Sequence, residues 1–190
     1  MKEYSVQGNR RNMVLESLIV VYFIIIVLIN IFLSGYIDSL GTYAVVISVI
    51  SLTPLPLAMF TMRWSVIMRL SKIPDLRGEY EGDLFSSYTD HKEAIPIKMT
   101  ITQDAFRIDV RMKTKTSESH SCCVDIEMKG NCPILMYAYK NTGRVSEGLS
   151  KHDGVCTLSF DGNDVEGEYY TGPERGTYGT MKLQKTSIKK

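Results

Sequence analysis

Charge is missing from two long stretches of this chain. Ser17 to Ile37 has no charged side chain, Asp38 interrupts, and Ser39 to Met62 again has none. Each run exceeds 20 residues, the approximate length at which an apolar helix spans a bilayer's hydrocarbon core. The first run is too long for a signal-peptide core, and no small-residue cleavage site precedes the second, so it reads as a retained anchor. The chain also lacks signatures of catalysis. It has no GxSxG, P-loop or HExxH, and His91, His120 and His152 stand in turn-like or polar stretches without a nucleophile motif. An enzyme therefore has no candidate site. Cys122, Cys123, Cys132 and Cys156 form no CxxC pair and no His stands at ligand spacing, which argues against zinc. In a reducing cytoplasm they are expected as thiols. As strand neighbours, Cys122 and Cys123 are expected to point to opposite faces.

Excess charge is absent too. The first 72 residues hold six Lys or Arg and three acids, and the remainder holds 16 and 18. A slightly acidic domain does not grip long nucleic acid, which needs many phosphate contacts. A small anion held by a few cations stays compatible. No internal repeat or low-complexity tract is found apart from the basic tail Lys185 to Lys190.

What is present divides at Lys72. Residues 1–72 read as a two-helix transmembrane region, and basic residues flank the hairpin on both sides while Ser34 to Gly41 has none. The positive-inside rule then puts both termini in the cytoplasm and the loop outside. Asn30 interrupts the apolar sequence Leu18 to Leu33, as an interfacial residue or a helix–helix hydrogen bond. Ala44, Ser48 and Ser51 form a small-residue stripe that permits close helix contact. Thr53-Pro54-Leu55-Pro56 breaks the helical hydrogen-bond ladder.

Residues 73–190 change period from 3.6 to 2. Alternation runs through Gly78–Leu84, Ile95–Thr102, Phe106–Lys113, Cys122–Met128, Leu135–Tyr139, Cys156–Phe160, Val165–Tyr169 and Thr177–Leu183. Gly, Asn, Asp and Pro mark the joints. Eight strands with one apolar face each are expected to close into a compact eight-stranded antiparallel β-barrel, cytoplasmic and C-terminal to the membrane α-hairpin. A barrel of that size is filled by side chains or holds one small ligand. Glu79, Glu81 and Asp83 fall on the solvated face.

Tyr80, Tyr137, Tyr139 and Tyr169 fall on the inner face, where phenols need hydrogen-bond partners. They are barrel core or the walls of a pocket for a planar, polar ligand. Arg175, in Gly-Pro-Glu-Arg-Gly-Thr, is placed to reach a phosphate at the barrel mouth. With Thr177 these residues make the candidate ligand-binding set; Arg77 and Arg144 are weaker candidates. Arg107 and Arg111 face outward by alternation.

Two hydrophobic helices lead through Lys72-Ile73-Pro74-Asp75-Leu76-Arg77-Gly78-Glu79-Tyr80-Glu81-Gly82 into the barrel, which ends in Arg175-Gly176-Thr177-Tyr178-Gly179-Thr180-Met181-Lys182-Leu183. This order of parts resembles the two-transmembrane β-barrel effectors of bacterial CBASS antiphage defence, in which Ile-Pro-Asp-Leu-x-Gly-x-aromatic-x-Gly opens the barrel. The resemblance implies a multi-pass protein of the bacterial inner membrane with no cofactor. It implies a barrel that binds a cyclic oligonucleotide, made by a partner cyclic-nucleotide synthase, as activating ligand. Self-association into oligomers would then disrupt the lipid bilayer and cause growth arrest or cell death (abortive infection). The alternatives are a membrane-anchored barrel that carries an apolar ligand, or a structural or assembly subunit with a solid core.

Overall fold

The computed structural model describes residues 2–6, 11–34, 65–143 and 152–186. Two compact units divide the chain: Met1–Gly8 with Pro74–Lys190, and Asn9–Ile73. The second hydrophobic run, its Pro-x-Pro break, the small-residue stripe and Arg144 lie outside the described residues.

The helical unit contains α1 (Arg11–Ser34) and the short α2 (Ser65–Leu70). At 1.5 Å per residue α1 is about 36 Å long, and it is long and apolar enough to cross a membrane by length and composition. Most of its large apolar side chains between Leu18 and Phe32 are exposed, with Tyr22, Ile26 and Ile29 half-buried, so apolar residues occupy every side of the helix. Only a helix meant for an apolar surrounding is hydrophobic on all sides.

The other unit is almost entirely strand: β1 (Lys2–Val6), β2 (Gly78–Ser86), β3 (Ala94–Gln103), β4 (Arg107–Lys113), β5 (Ser117–Lys129), β6 (Cys132–Gly143), β7 (His152–Asp161), β8 (Asp164–Thr171) and β9 (Tyr178–Thr186). The pairing order is β1-β4-β3-β2-β9-β8-β7-β6-β5, and it closes on itself where β5 pairs with β1, with β4 and β5 also paired directly. Alternation places Ile97, Met99 and Ile101 of β3, Ile108 and Val110 of β4, Leu135 of β6, Leu158 of β7, and Met181 and Leu183 of β9 in one buried core. Glu79, Glu81 and Asp83 are exposed, as are Arg107 and Arg111.

Three expectations need correction. The described strands number nine rather than eight, and the extra one comes from residues assigned to the membrane region. β1 wedges between β4 and β5, antiparallel to Arg107–Ile108 and parallel to Val124–Ile126, so the sheet is not purely antiparallel. Tyr4 anchors it: its hydroxyl donates to the Asp104 carbonyl at 3.0 Å and accepts from Gln103 Nε2 at 3.1 Å. Third, Cys122 and Cys123 are both exposed. The register of β5 against β6 shifts between Ser121 and Cys123, and a bulge residue breaks the two-residue period. Inward positions are thus Ser119 and Ser121 before the bulge and Val124 and Ile126 after it.

The Ile73–Gly82 lead-in is a structural seam. The Leu76 amide donates to Gln103 Oε1 at 3.0 Å, and Gln103 Nε2 donates to the Pro74 carbonyl at 3.1 Å. Asp75 accepts two hydrogen bonds from the Arg77 guanidinium, which ties up that arginine. Gly82 is required by close approach, because a Cβ there would lie 1.9 Å from the Lys182 carbonyl oxygen on β9.

Candidate ligand-binding cleft

The two ends of the sheet differ. At the end where β2 begins, Tyr80 is 2% exposed and packs edge-on against Phe160 at 5.8 Å between ring centroids. Its hydroxyl donates to the Leu76 carbonyl at 2.8 Å, and Lys185 Nζ sits 5.5 Å over its ring. Burial pushes this phenol up to about 12. Tyr80 is therefore core and does not line a cavity. Tyr137 is also core: it is 3% exposed, its hydroxyl lies against the Cys156 thiol, and no hydrogen bond of ordinary geometry reaches it among the described residues. Burial raises its ionisation well above the usual phenol value and pushes Cys156 up to about 12.

At the opposite end a cleft of about 120 Å³ opens. The sheet brings together Ser86 from β2, Thr114 and Ser117 from the β4–β5 turn, Tyr139 and Asn141 from β6, His152 from β7, and Tyr169 and Thr171 from β8. Arg175 and Thr177 join them from the loop before β9. Four of the six sequence-derived candidates, Tyr139, Tyr169, Arg175 and Thr177, meet here. Tyr80 does not: six residues separate it from Ser86 along β2, roughly 20 Å at strand rise.

Both cleft tyrosines lie over a glycine on the neighbouring strand. Tyr139 faces Gly154 in register, and a Cβ on Gly154 would lie 2.5 Å from the Tyr139 ring. Tyr169 faces Gly179, where a Cβ would lie 2.7 Å from its ring. The missing side chains let the rings lie down against the wall, which leaves room above them. Tyr169 donates to Ser86 Oγ at 2.6 Å, whereas the Tyr139 hydroxyl has no hydrogen-bond partner among the described residues. Burial raises the Tyr139 ionisation, and the Arg175 charge partly opposes that rise.

The loop that carries Arg175 is stapled. The Thr171 hydroxyl donates to the Thr177 carbonyl at 2.9 Å and accepts from the Thr177 amide at 2.7 Å. The Gly176 amide donates to the Gly172 carbonyl, with Gly176 in the left-handed region at φ 60°. Arg175 Nη1 lies 3.2 Å from His152 Nδ1. A guanidinium only donates, so this contact makes Nδ1 the acceptor and puts the ring proton on Nε2. No carboxylate lines the cleft among the described residues, and Arg175 is in none of their ion pairs. Asn141 Nδ2 donates to Ser117 Oγ, while its buried Oδ1 finds no partner among the described residues. An orphaned acceptor of this kind costs roughly 1–3 kcal/mol unless a ligand donor meets it. No group of three His, Cys, Asp or Glu able to hold a metal occurs among the described residues.

Alternation alone missed Ser86, Asn141 and His152. They sit at strand ends, where the two-residue pattern stops, and their one available signal is a polar residue at an inward parity.

Together these features make a candidate small-ligand site at one end of a strand-built unit, with a single guanidinium, several hydroxyls and two phenols. The sequence model of the family described as "Cap15, cyclic dinucleotide receptor domain" matches residues 71–185. The chain belongs to this family. It is also 34% identical over 115 residues to a curated protein of Yersinia aleksiciae, CD-NTase-associated protein 15. That match covers 58% of this chain and 55% of the relative, so the chain spans about half the length of the relative it matches.

Proposed function

We propose that the cleft binds a cyclic dinucleotide and that the chain is a membrane-anchored effector of CBASS antiphage defence. The observation that carries this reading is the pairing of Arg175, free of any described acid, with the orphaned Asn141 Oδ1 on one hydroxyl-lined cleft. A guanidinium binds a phosphodiester oxygen through charge-assisted hydrogen bonds. A carboxamide oxygen accepts from an exocyclic amine or ring N–H of a base. An apolar cargo satisfies neither group, which disfavours the carrier alternative.

In this reading the chain is a receptor and not an enzyme. A partner cyclic-nucleotide synthase supplies the signal. α1 and the second uncharged run form a two-helix hairpin in the bacterial inner membrane, with the barrel in the cytoplasm. Signal binding favours an oligomer, and the clustered hairpins disrupt the bilayer. Only a ligand that binds the assembled state better than the resting state shifts that equilibrium.

The test is titration calorimetry on the full-length protein in detergent, against cyclic di-AMP, cyclic di-GMP and cyclic GMP–AMP. Saturable binding of at least one is expected, accompanied by a rise in particle size and, in cells that make the signal, by dye entry. No binding to any of the three returns the chain to the structural-subunit reading. Binding without a size change removes the assembly step alone.

A further inference from the structure

The cleft holds about 120 Å³, whereas sites that enclose a drug-sized ligand usually run about 300–1,000 Å³. If the ligand is a cyclic dinucleotide, as proposed above, the cleft admits one base and leaves the second outside. Tyr88 stands at that mouth. It lines the cleft, yet it is 75% exposed, so its ring is not part of the core. The Arg175 guanidinium carbon lies 5.9 Å from its ring centroid. One face region of a phenol and the phosphate-binding cation therefore sit side by side.

The ring is carried on a held backbone. A single 3-10 turn, Ser87–Thr89, follows β2 and is capped by Ser86, whose Oγ accepts from the Tyr88 amide at 3.2 Å. The same Oγ accepts from Tyr169, so the turn is tied to a cleft tyrosine. Ser87 Oγ accepts from the Tyr178 amide at 3.1 Å, which fastens the turn to β9. Asp90 and His91 then take φ values of 50° and 58° in succession. Two adjacent L-residues in the left-handed region are costly and persist only where the surroundings impose them. The His91 amide donates to the Ser86 carbonyl at 2.9 Å, and its ring packs on Tyr178 at 5.5 Å. Strained, fastened backbone that presents an exposed aromatic ring is a pre-organised stacking platform.

We infer that Tyr88 is the stacking residue for the outer base of the ligand, which makes the turn after β2 a binding element at the mouth of the cleft. Stacking on an aromatic face tolerates any base but requires the ring. Inside the cleft, hydrogen bonds to Asn141 read one base; at the mouth, Tyr88 holds the other by its face, whatever its identity.

The experiment compares wild type, Tyr88→Ala, Tyr88→Phe and Tyr88→Trp, each full-length in detergent. It uses the three cyclic dinucleotides above and an analogue with 2-aminopurine in place of one base. Tyr88→Ala is expected to weaken binding by about tenfold or more, the fold-change of one lost base–aromatic stack. Tyr88→Phe should bind like wild type, and Tyr88→Trp at least as tightly. At saturation, 2-aminopurine fluorescence should be quenched by wild type and brighter with Tyr88→Ala. Because the side chain is exposed, the thermal midpoint should not move. If wild type binds a dinucleotide and Tyr88→Ala binds it equally well, the stacking role is overturned and the cleft reading stands. A Phe variant that loses as much as Ala overturns it too, since the ring is retained. No binding by wild type overturns the cleft reading itself.

Discussion

Inward tyrosines build both ends of the barrel, and at the two ends they do different jobs. Tyr80 is closed over by Phe160 and Lys185, with its hydroxyl spent on the Leu76 carbonyl. Tyr139 and Tyr169 lie flat on Gly154 and Gly179 with space above. The residue type is the same and the burial is similar, at 2%, 3% and 6%. What differs is the residue across the strand pair. A large neighbour completes a core, and a glycine leaves the floor of a cleft.

The sharpest way to break this comparison is Tyr80→Ala. It should cost about 3–5 kcal/mol of unfolding free energy, as for other large buried aromatics, and leave the affinity of the protein that stays folded unchanged. Chemical unfolding followed by near-ultraviolet circular dichroism, beside calorimetry, checks both halves. A large loss of affinity would mean that the two ends are coupled. Arg175→Ala is the converse. Loss of a charge-assisted contact should weaken ligand binding by about 1.5–3 kcal/mol, while stability stays within about 0.5 kcal/mol. Gly154→Ala should sit between them. Its Cβ would meet the Tyr139 ring and the Tyr170 carbonyl oxygen at 2.5 Å, so overpacking costs about 1–3 kcal/mol, and the displaced ring lowers affinity as well. An Ala variant that binds normally would show that the glycine floor has no role in the cleft.

The smallest effect concerns the lead-in to the closed end. The Arg77 guanidinium holds the Asp75 carboxyl below its ordinary value of 3.8. A depressed carboxylate contributes stability above its unfolded value, and that contribution is lost as pH falls through the folded one. Both side chains are more than a third exposed, so solvent screening limits the pair to a few tenths of a kcal/mol. Asp75→Asn should therefore flatten the acid limb of the stability curve only below about pH 4, by that small amount. A larger change at neutral pH would assign Asp75 a different role.

Much of the barrel was legible because alternation repeats along each strand. Eight of the nine strands and the inward side of all four candidate tyrosines follow from it. β1 was not legible. Its five residues have one described buried side chain, Tyr4, and the partner of Tyr4 in β5 is Val124, 120 positions away. The bulge at Ser121–Cys123 was hidden for a different reason, since one inserted residue reverses the parity without changing composition. The cleft was half legible. Alternation cannot separate Tyr80 and Tyr137 from Tyr139 and Tyr169, because cross-strand register makes that distinction. Arg175 was recoverable from its turn. His152 and Asn141 gain meaning only when β6 and β7 are laid side by side.

β1 has a consequence for counting. The chain leaves this sheet after Val6 and is built into the same unit again at Pro74, whose carbonyl is bonded to Gln103. One folded body cannot stand on both faces of a bilayer. The backbone between its two attachment points must end on the side where it started, which requires an even number of crossings. Whatever membrane the chain meets, Lys2–Val6 and the strands from Gly78 onward stand on one side of it, and this parity is imposed by the strand partners of Tyr4 rather than by hydropathy.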